Sequence, residues 1–488
     1  MKKVQKKIDS WSRRKKIIVA SLLLLFTLYI AVILWHTYKP LPKGISYEGE
    51  LHETDHIELI TDLTFAQDKK GTGRQHENHI FKEVYGLIEE AEEFVVVDFF
   101  LMDGYYDEKE DFPPIADTMS SKLANKKREN PDMPVIFITD PLNKGYGSYE
   151  TKWFKKMREA GVEIVYTDLK KLRDSTPAYS GIYRIFLQWF DHEGEGWISN
   201  AMSSKAPKMN LSSYLELLNV KANHRKAAVS EKEAIITSSN PHDGSGFHGN
   251  LALKVQGSVI NDILESEEAV SIMSGGPKLP RATQPKESGG QYKVQYLTER
   301  KILDALLSDI AATKKGDKIW LGMFFIAERK IVDALTDAAN RGVEIKMILD
   351  PNENSFGREK TGLPNRPVVN ELLEDADQNY LAIRWYNTVV GQYHTKAIWI
   401  QTEEQTIISS GSANYTERTL YNYNLENNLR IMAPNKSDLV VSMENYFERL
   451  WENEDAMYTL DAEEFQDTLS WWQRWIYTLQ QTLKVTTY

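Results

Sequence analysis

The chain has no cysteine among its 488 residues. That excludes a disulfide framework, a Cys-ligated zinc, an iron–sulfur cluster and a thiol nucleophile. It also leaves the chain free to work on either side of a membrane. An excess of positive charge is missing too: 59 Lys and Arg stand against 70 Asp and Glu, for a formal charge of −11. A grip on nucleic acid usually leaves a basic footprint, so the balance argues against one. Hydrophobic residues make up 42% and charged residues 26%, which excludes a largely disordered chain. The length accommodates roughly two to four domains, or one large pseudo-symmetric one.

Charge is also locally absent. Residues 17–35 (IIVASLLLLFTLYIAVILW) carry none, directly after a segment, 1–16, with eight Lys or Arg and one Asp. The rest of the chain therefore holds 51 basic and 69 acidic residues, a net −18. A helix over those 19 residues is about 28 Å long, close to the thickness of a bilayer core. Trp35 and Tyr38 suit the outer interface. A basic head stays in the cytoplasm, which puts everything after Lys39 outside. A cleaved signal peptide has a shorter apolar run ending at small residues; here it ends in Leu-Trp-His-Thr-Tyr-Lys. The expectation is an uncleaved, single-pass anchor in the cell membrane with an extracytoplasmic body.

The remainder reads as one unit used twice. Apolar spacing at Ile80, Val84, Leu87 and Ile88 predicts a helix. Strand-like runs come next at 94–100 (FVVVDFF), 134–141 (PVIFITDP) and 163–169 (EIVYTDL). From residue 298 the order recurs, with runs at 318–325 (KIWLGMFF), 343–351 (VEIKMILDP) and 381–386 (LAIRWY). ITDPLNKGYG (138–147) and ILDPNENSFG (348–357) are matched segments of the two copies. Strands alternating with helices predict a layered α/β fold. The organisation expected is a basic head (1–16), a transmembrane helix (17–35), a stalk (36–54), a first domain (55–273) with an insertion at about 171–220, a Gly/Pro-rich linker (274–290), a second domain (291–455) and an aromatic amphipathic tail (456–488).

Each half carries the same constellation. NHRKAAVSEKEAIITSSNPHD (223–243) and YHTKAIWIQTEEQTIISSGSANYT (393–416) both place His-x-Lys before an apolar strand, then a polar turn, a second apolar strand, Ser and Asn. His224, Lys226, Ser238 and Asn240 thus correspond to His394, Lys396, Ser412 and Asn414. A lone His-x-Lys is weak evidence; the matched context makes it specific.

Residues i and i+2 of a strand face one side, so each His and Lys point together while Arg225 or Thr395 points away. Two such strands face to face assemble two imidazoles, two ammoniums and two amides around one phosphodiester. Lys supplies charge for phosphate oxygens, and Ser and Asn supply neutral donors and acceptors. One neutral imidazole attacks phosphorus while the other, protonated, donates to the leaving alkoxide. Water or an alcohol then attacks the phosphohistidine, and the cationic shell stabilises both steps. This chemistry needs no metal or other cofactor.

These residues resemble the phospholipase D superfamily, whose signature is two HxK(x)4D…GSxN motifs in one chain. The resemblance spans about residues 55–455. It implies a pair of α/β domains with mixed sheets, related by a pseudo-two-fold axis through the active site. It also implies phosphodiester hydrolysis or phosphatidyl transfer, with the first-motif histidine, His224, as nucleophile and His394 as general acid. Both half-sites lie in one chain, so a monomer suffices. The chain departs from the signature at three places: the Asp is Glu231 in the first motif and Gln401 in the second, and TSSN (237–240) stands where GSxN is expected. The spacing to Asn is nine residues from Glu231 and thirteen from Gln401, which predicts hairpin turns of different length.

The resemblance also implies a side chain on the strand after GSxN that orients each histidine. That position holds Glu426 in the second half and Asn250 in the first. Paired within each half, Glu426 orients His394 and Asn250 orients His224. A carboxylate raises the basicity of its imidazole and an amide only orients it. On that pairing His394 is the stronger nucleophile, against the family's order; the family's order is retained here.

Weaker signals complete the reading. Asp140 and Asp350 end equivalent strands and read as caps of the next segment, while His242, Asp243 and His248 read as the mouth of the pocket, not as metal ligands. The insertion includes PAYSGIYRIFLQWFDHEGEGWIS (177–199), either a lipid-facing lid or a helix packed on the core. LSWWQRWIYTLQQTL (469–483) has helical aromatic spacing suited to a membrane interface.

The leading reading is an anchored phosphodiesterase acting on membrane phospholipid. Three alternatives stay open: a transferase of the cardiolipin synthase type, a nuclease, and a retired scaffold that binds anionic lipid. Cardiolipin synthases that resemble this scaffold usually have two amino-terminal spans, and one is evident here. The net −18 disfavours long polyanions. Altered groups in the first motif are the best support for a scaffold.

Overall fold

The computed structural model describes residues 12–465, apart from 107–109, 192–193, 195, 201, 284–288, 356–357, 360–361 and 389–390. Residues 1–11 and the aromatic stripe of 469–483 lie outside the described residues.

The strands, in chain order, are β1 (His52–Thr54), β2 (Ile57–Phe65), β3 (Gln75–Glu77), β4 (Val95–Phe99), β5 (Val135–Thr139), β6 (Glu163–Tyr166), β7 (Lys226–Ser230), β8 (Ala234–Thr237) and β9 (Asn250–Val255) in the first half. The second half adds β10 (Tyr292–Thr298), β11 (Lys318–Met323), β12 (Glu344–Leu349), the short β13 (Asn354–Ser355) and β14 (Arg358–Glu359), β15 (Leu381–Tyr386), β16 (Lys396–Gln401), β17 (Thr406–Gly411), β18 (Asn427–Ala433) and β19 (Thr459–Asp461).

The duplication read from sequence is a duplication of topology. One sheet runs β3-β2-β9-β8-β7-β4-β5-β6 and the other β1-β10-β18-β17-β16-β11-β12-β15-β19. Seven strands match one for one, from β2 and β10 through to β6 and β15. In both sheets the last three matched strands are parallel, and the other matched neighbours are antiparallel. Helices join the consecutive parallel strands, and short hairpins join β7 to β8 and β16 to β17. The central strands are buried on both faces and read as near-continuous apolar runs.

Three apolar cores order the layers. One lies outside the first sheet, under helices Ile80–Glu90, Ile115–Glu129 and Lys152–Glu159. A second lies outside the other sheet, under Arg300–Ala312, Arg329–Asn340 and Asn365–Asp375. The third is shared, joining Leu251 and Leu253 of β9 to Leu429 and Ile431 of β18, with helices Val259–Met273 and Asp438–Glu452. The inner faces of both sheets thus close on one core, which fixes the two motifs relative to each other.

Two expectations change in detail. The hairpin turn of the second motif is only one residue longer than that of the first; β16 and β17 together are three residues longer than β7 and β8. The spacing difference is therefore mostly strand length. The segment read as a stalk is woven into the second sheet: β1 pairs with β10, and Glu48 bridges to Leu297.

The uncharged run lies in a helix, Arg13–Tyr38, capped by the Ser12 side chain. It is long and apolar enough to cross a membrane, with a mean hydropathy of 2.9 over 18 residues, and that stretch is exposed.

Candidate active site

The two motifs meet where the halves clasp. The His224 N–H donates to the Leu425 carbonyl at 2.9 Å, and the His394 N–H donates to the Gly249 carbonyl at 2.7 Å. Each histidine precedes its strand, and the residue before it, Asn223 or Tyr393, pairs in parallel fashion with the segment leading into the other half's last motif strand. Asp140 and Asp350 hold these segments from behind. Asp140 accepts the N–H groups of Leu142 and Asn223, both at 2.8 Å, and Asp350 those of Asn352 and Tyr393, both at 2.7 Å. The capping read from sequence is present, and each carboxylate also fixes the residue just before the histidine. Burial pushes both carboxyls up to about 7.

The orienting groups are exchanged between the halves. His224 Nδ1 lies 2.9 Å from Glu426 Oε2, and His394 Nδ1 lies 3.1 Å from Asn250 Oδ1. This corrects the expectation that Glu426 orients His394 and Asn250 orients His224. The reason is geometric. Each imidazole turns across the clasp, away from its own sheet, and meets the first residues of the other sheet's β9 or β18 segment.

Ser238 and Ser412 serve those orienting groups. The Leu251 N–H donates to Ser238 Oγ at 3.1 Å, and the Ser238 hydroxyl donates to Asn250 Oδ1 at 2.9 Å. Likewise the Asn427 N–H donates to Ser412 Oγ at 2.9 Å, and that hydroxyl donates to Glu426 Oε2 at 2.5 Å. Each serine is therefore engaged with an orienting side chain rather than presented to a ligand. The chain of donors also fixes the tautomers: with an acceptor oxygen facing Nδ1, each neutral histidine carries its proton there and leaves Nε2 unprotonated.

Lys226 and Lys396 each donate to the carbonyl of their own motif histidine at 2.7 Å. Each ammonium also lies over an aromatic ring, Phe100 at 5.5 Å and Phe324 at 5.0 Å. The same rings flank the imidazoles, at 5.1 Å from His224 and 4.9 Å from His394. Sequence reading missed both phenylalanines. The available signal was their equivalent place, one residue beyond β4 and β11, where Phe99 pairs with Lys226 and Met323 pairs with Lys396.

The amides of Asn240 and Asn414 are equally symmetric. Both residues are buried, and in both the Oδ1 atom has no hydrogen-bond partner among the described residues. A buried, unpaired polar atom costs about 1–3 kcal/mol, so two at equivalent positions mark where a polar ligand completes the site.

The electrostatics agree. Burial holds His224 down to about 4, although Glu426 opposes the shift. Burial holds His394 well below the usual histidine range, helped by Lys396, His248 and Lys226. Lys226 is pushed down to about 7 by burial, and Lys396 well below the usual lysine range by burial and by Lys226 itself. Four basic groups thus crowd one water-poor space, and an anion placed among them favours their charged forms.

The remaining candidates take structural parts. Glu231, in place of the signature Asp, accepts the N–H groups of Glu92 and Glu93 at 2.8 and 3.1 Å. Arg225 is buried between Glu299 at 2.8 Å and Glu267 at 3.4 Å. Asp243 accepts the Ala116 N–H at the start of helix Ile115–Glu129, and His242 pairs with Asp103 at 2.9 Å. Those two are committed elsewhere, while the His248 ring lies 5.9 Å from that of His394.

A duplicated mixed α/β sheet with two His-Lys-Asn sets converging across a pseudo-two-fold axis defines the phospholipase D class of fold. The family model described as "Cardiolipin synthase, PLD-like domain" matches residues 294–451. The crystal structure of phosphatidylserine synthase from Haemophilus influenzae Rd KW20 is similar with a TM-score of 0.57 at 11% identity, over 90% of this chain and 95% of that one. Polyphosphate kinase from Porphyromonas gingivalis is similar at 11% identity and TM-score 0.42, over 87% of this chain and 56% of that one. Nuc, a phospholipase D family member from Salmonella typhimurium, is similar at 21% identity and TM-score 0.27, over 35% of this chain and 97% of its own. No curated protein matches the chain by sequence. Residues 294–451 thus match a phospholipase D-like family model, and the fold over most of the chain is similar to that of phosphatidylserine synthase.

Proposed function

We propose that the protein is a membrane-anchored phosphodiesterase of the phospholipase D type that acts on a phospholipid headgroup through a phosphohistidine. The observation that carries this reading is the asymmetry of the two orienting groups. His224 Nε2 attacks phosphorus, and positive charge develops on its ring as the N–P bond forms. Glu426, hydrogen-bonded to Nδ1, stabilises that charge. The P–O bond to the leaving group breaks, and the departing oxygen takes the proton from His394 Nε2. An acid must release its proton readily, and the neutral amide of Asn250 does not hold the imidazolium as a carboxylate does. The crossed pairing thus gives His224 the carboxylate and makes the chemistry agree with the family's order.

In the second step a water or alcohol oxygen attacks phosphorus and loses its proton to His394. The P–N bond breaks and its electron pair returns to His224. Lys226, Lys396, Asn240 and Asn414 surround the equatorial oxygens in both steps. Hydrolysis and phosphatidyl transfer differ only in the acceptor. The family model's description supports phospholipid as substrate and transfer as one outcome. Helix Arg13–Tyr38 serves as the single membrane span, with the amino terminus cytoplasmic and the domains outside.

The test is turnover of phosphatidylglycerol vesicles by the full chain, with and without added glycerol. Headgroup release or exchange that needs both His224 and His394 supports the reading. Lipid binding without turnover, unchanged by either alanine variant, indicates a scaffold. Activity confined to DNA or RNA indicates a nuclease.

A further inference from the structure

The insertion in the first half presents an apolar face that no described residue covers. From Pro177 the chain forms a short helix to Ile182 and a π-helical turn to Leu187. One side of this element is tied down. Tyr179 donates to the Leu215 carbonyl at 2.6 Å, Tyr183 is buried and donates to Glu216 at 3.2 Å, and Arg184 forms a two-pronged pair with Asp174 at 2.6 and 2.7 Å. The other side carries Ile182, Phe186, Trp189 and Phe190, between 45% and 75% exposed. Ile182 and Phe186 lie on the helical part, Trp189 and Phe190 in the turn that follows it, and the four together form an apolar face with no charged residue among them.

The position of the element relative to helix Arg13–Tyr38 says what covers that stripe. Tyr29 donates its hydroxyl to the Ala178 carbonyl at 2.8 Å. Gly181 faces Tyr29 and Ile33 so closely that a Cβ there would lie 2.7 Å from one and 2.8 Å from the other. Tyr29 is six residues, about 9 Å, inside the Trp35 end of the uncharged run. Amphipathic helices in the plane of a membrane sit about 5–10 Å below its surface. Contact with Tyr29 places the element at that depth.

The junction below is rigid. The Asp174 N–H donates to the His36 carbonyl at 2.9 Å. Lys39 donates to the Lys170 carbonyl and Arg173 to the Lys39 carbonyl, both at 2.9 Å. The spanning helix is thus docked on the domain, not tethered to it, and cannot lift the aromatic stripe away from the bilayer.

We infer that residues 178–190, a short helix and the turn after it, form a second, monotopic membrane element whose Ile182, Phe186, Trp189 and Phe190 enter the acyl region of the leaflet from which the spanning helix emerges. It rests on the reading of Arg13–Tyr38 as a span. The element also connects to the active site. Helix Leu211–Leu217 packs behind it and leads through Val220 to His224, while Arg418 of the second half reaches over to the Val220 carbonyl at 2.6 Å. The cleft is therefore held at a fixed height and tilt over the lipid, which favours a substrate drawn from the leaflet over one from solution.

The absence of cysteine makes a direct test available, because single cysteines can be introduced into the full chain and spin-labelled. The variants are Phe186→Cys, Trp189→Cys, Leu24→Cys in the span and Glu403→Cys in an exposed turn of the second half. Each is reconstituted in phosphatidylglycerol–phosphatidylcholine vesicles, and collisions with oxygen and with a water-soluble nickel chelate are measured by electron paramagnetic resonance. The inference requires labels at 186 and 189 to behave like the label at 24, accessible to oxygen and shielded from nickel, with the label at 403 showing the reverse. Nickel access at 186 and 189 with position 24 shielded overturns the inference and leaves the span intact. Shielding of 186 and 189 from both relaxants means protein covers the stripe, which also overturns it. Nickel access at position 24 overturns the span and the inference together.

Discussion

Glu426 of the second half accepts a hydrogen bond from Nδ1 of His224 of the first, at 2.9 Å. Neither half therefore orients its own motif histidine. The reciprocal contact, His394 to Asn250, has the same geometry but replaces a carboxylate with an amide. A symmetric scaffold is thereby given two chemically distinct imidazoles by one side-chain difference.

That difference sets the first expectation. Glu426→Gln removes the charge that stabilises the attacking ring and lowers kcat about 10–100-fold, with KM for phosphatidylglycerol little changed. Asn250→Asp acts oppositely on the acid: it makes His394 hold its proton more tightly and moves the basic limb of the kcat profile to higher pH. Steady-state kinetics across pH 5–9 check both. Equal pH profiles for wild type and Asn250→Asp would contradict the role given to the amide.

Anion binding is expected to take up protons. Lys226 is depressed to about 7 and His224 to about 4 by burial, so near pH 7.5 the empty site holds fewer protons than its basic groups ordinarily carry. A phosphate oxygen beside Lys226 restores its charged form, while His224 stays the free base that attack requires. Affinity for inorganic phosphate should therefore strengthen as pH falls from 8 to 6.5, counted at constant phosphate charge. Calorimetry in buffers of different ionisation enthalpy reads the uptake directly; a buffer-independent heat would contradict it.

Arg225, between the motif residues His224 and Lys226, serves stability. It is fully buried, with Glu299 at 2.8 Å and Glu267 at 3.4 Å, and Glu299 also accepts the Glu426 N–H at 3.0 Å. Removing Glu299 leaves Arg225 with only the longer contact to Glu267 and with its Nε and Nη2 donors to Glu299 unpaired in the interior, so Glu299→Ala should cost about 3 kcal/mol in denaturant unfolding. The Arg225→Met/Glu299→Leu/Glu267→Gln triple variant, which removes the charges together, should recover much of that loss. A Glu299→Ala protein as stable as wild type would contradict the account.

The serines should matter less than their place in the motif implies. Ser412 donates to Glu426 and does not face the ligand, so Ser412→Ala should lower kcat by about tenfold or less. It should leave KM unchanged, as expected of a positioning residue. A large rise in KM would place the hydroxyl on the substrate.

The fold was legible because it is written twice. Matched runs such as 138–147 and 348–357 predicted matched strands, and β5 and β12 lie where those runs begin. His224, Lys226, His394 and Lys396 stood out as candidates because the same order of His-x-Lys, Ser and Asn recurs in both halves. The crossed pairing was not legible. Spacing within one half says nothing about which half's imidazole meets Glu426; that depends on the shared core that sets β9 against β18. Phe100 and Phe324 were hidden for a related reason, since phenylalanines at strand ends read as core until the lysine above them is placed. The aromatic stripe at 182–190 was visible as composition, but its orientation emerged only from Gly181 packed on Tyr29 and Ile33.

The central claim is that His224 and His394 share one phosphodiester, with His224 forming the covalent bond. Rapid quench of the full chain with a 32P-labelled phosphodiester bearing a good leaving group, then peptide mapping at alkaline pH, tests it most directly. The account predicts label on the peptide containing His224, accumulating in His394→Ala and absent in His224→Ala. Label on His394, or turnover with no trapped phosphohistidine in any variant, would contradict it.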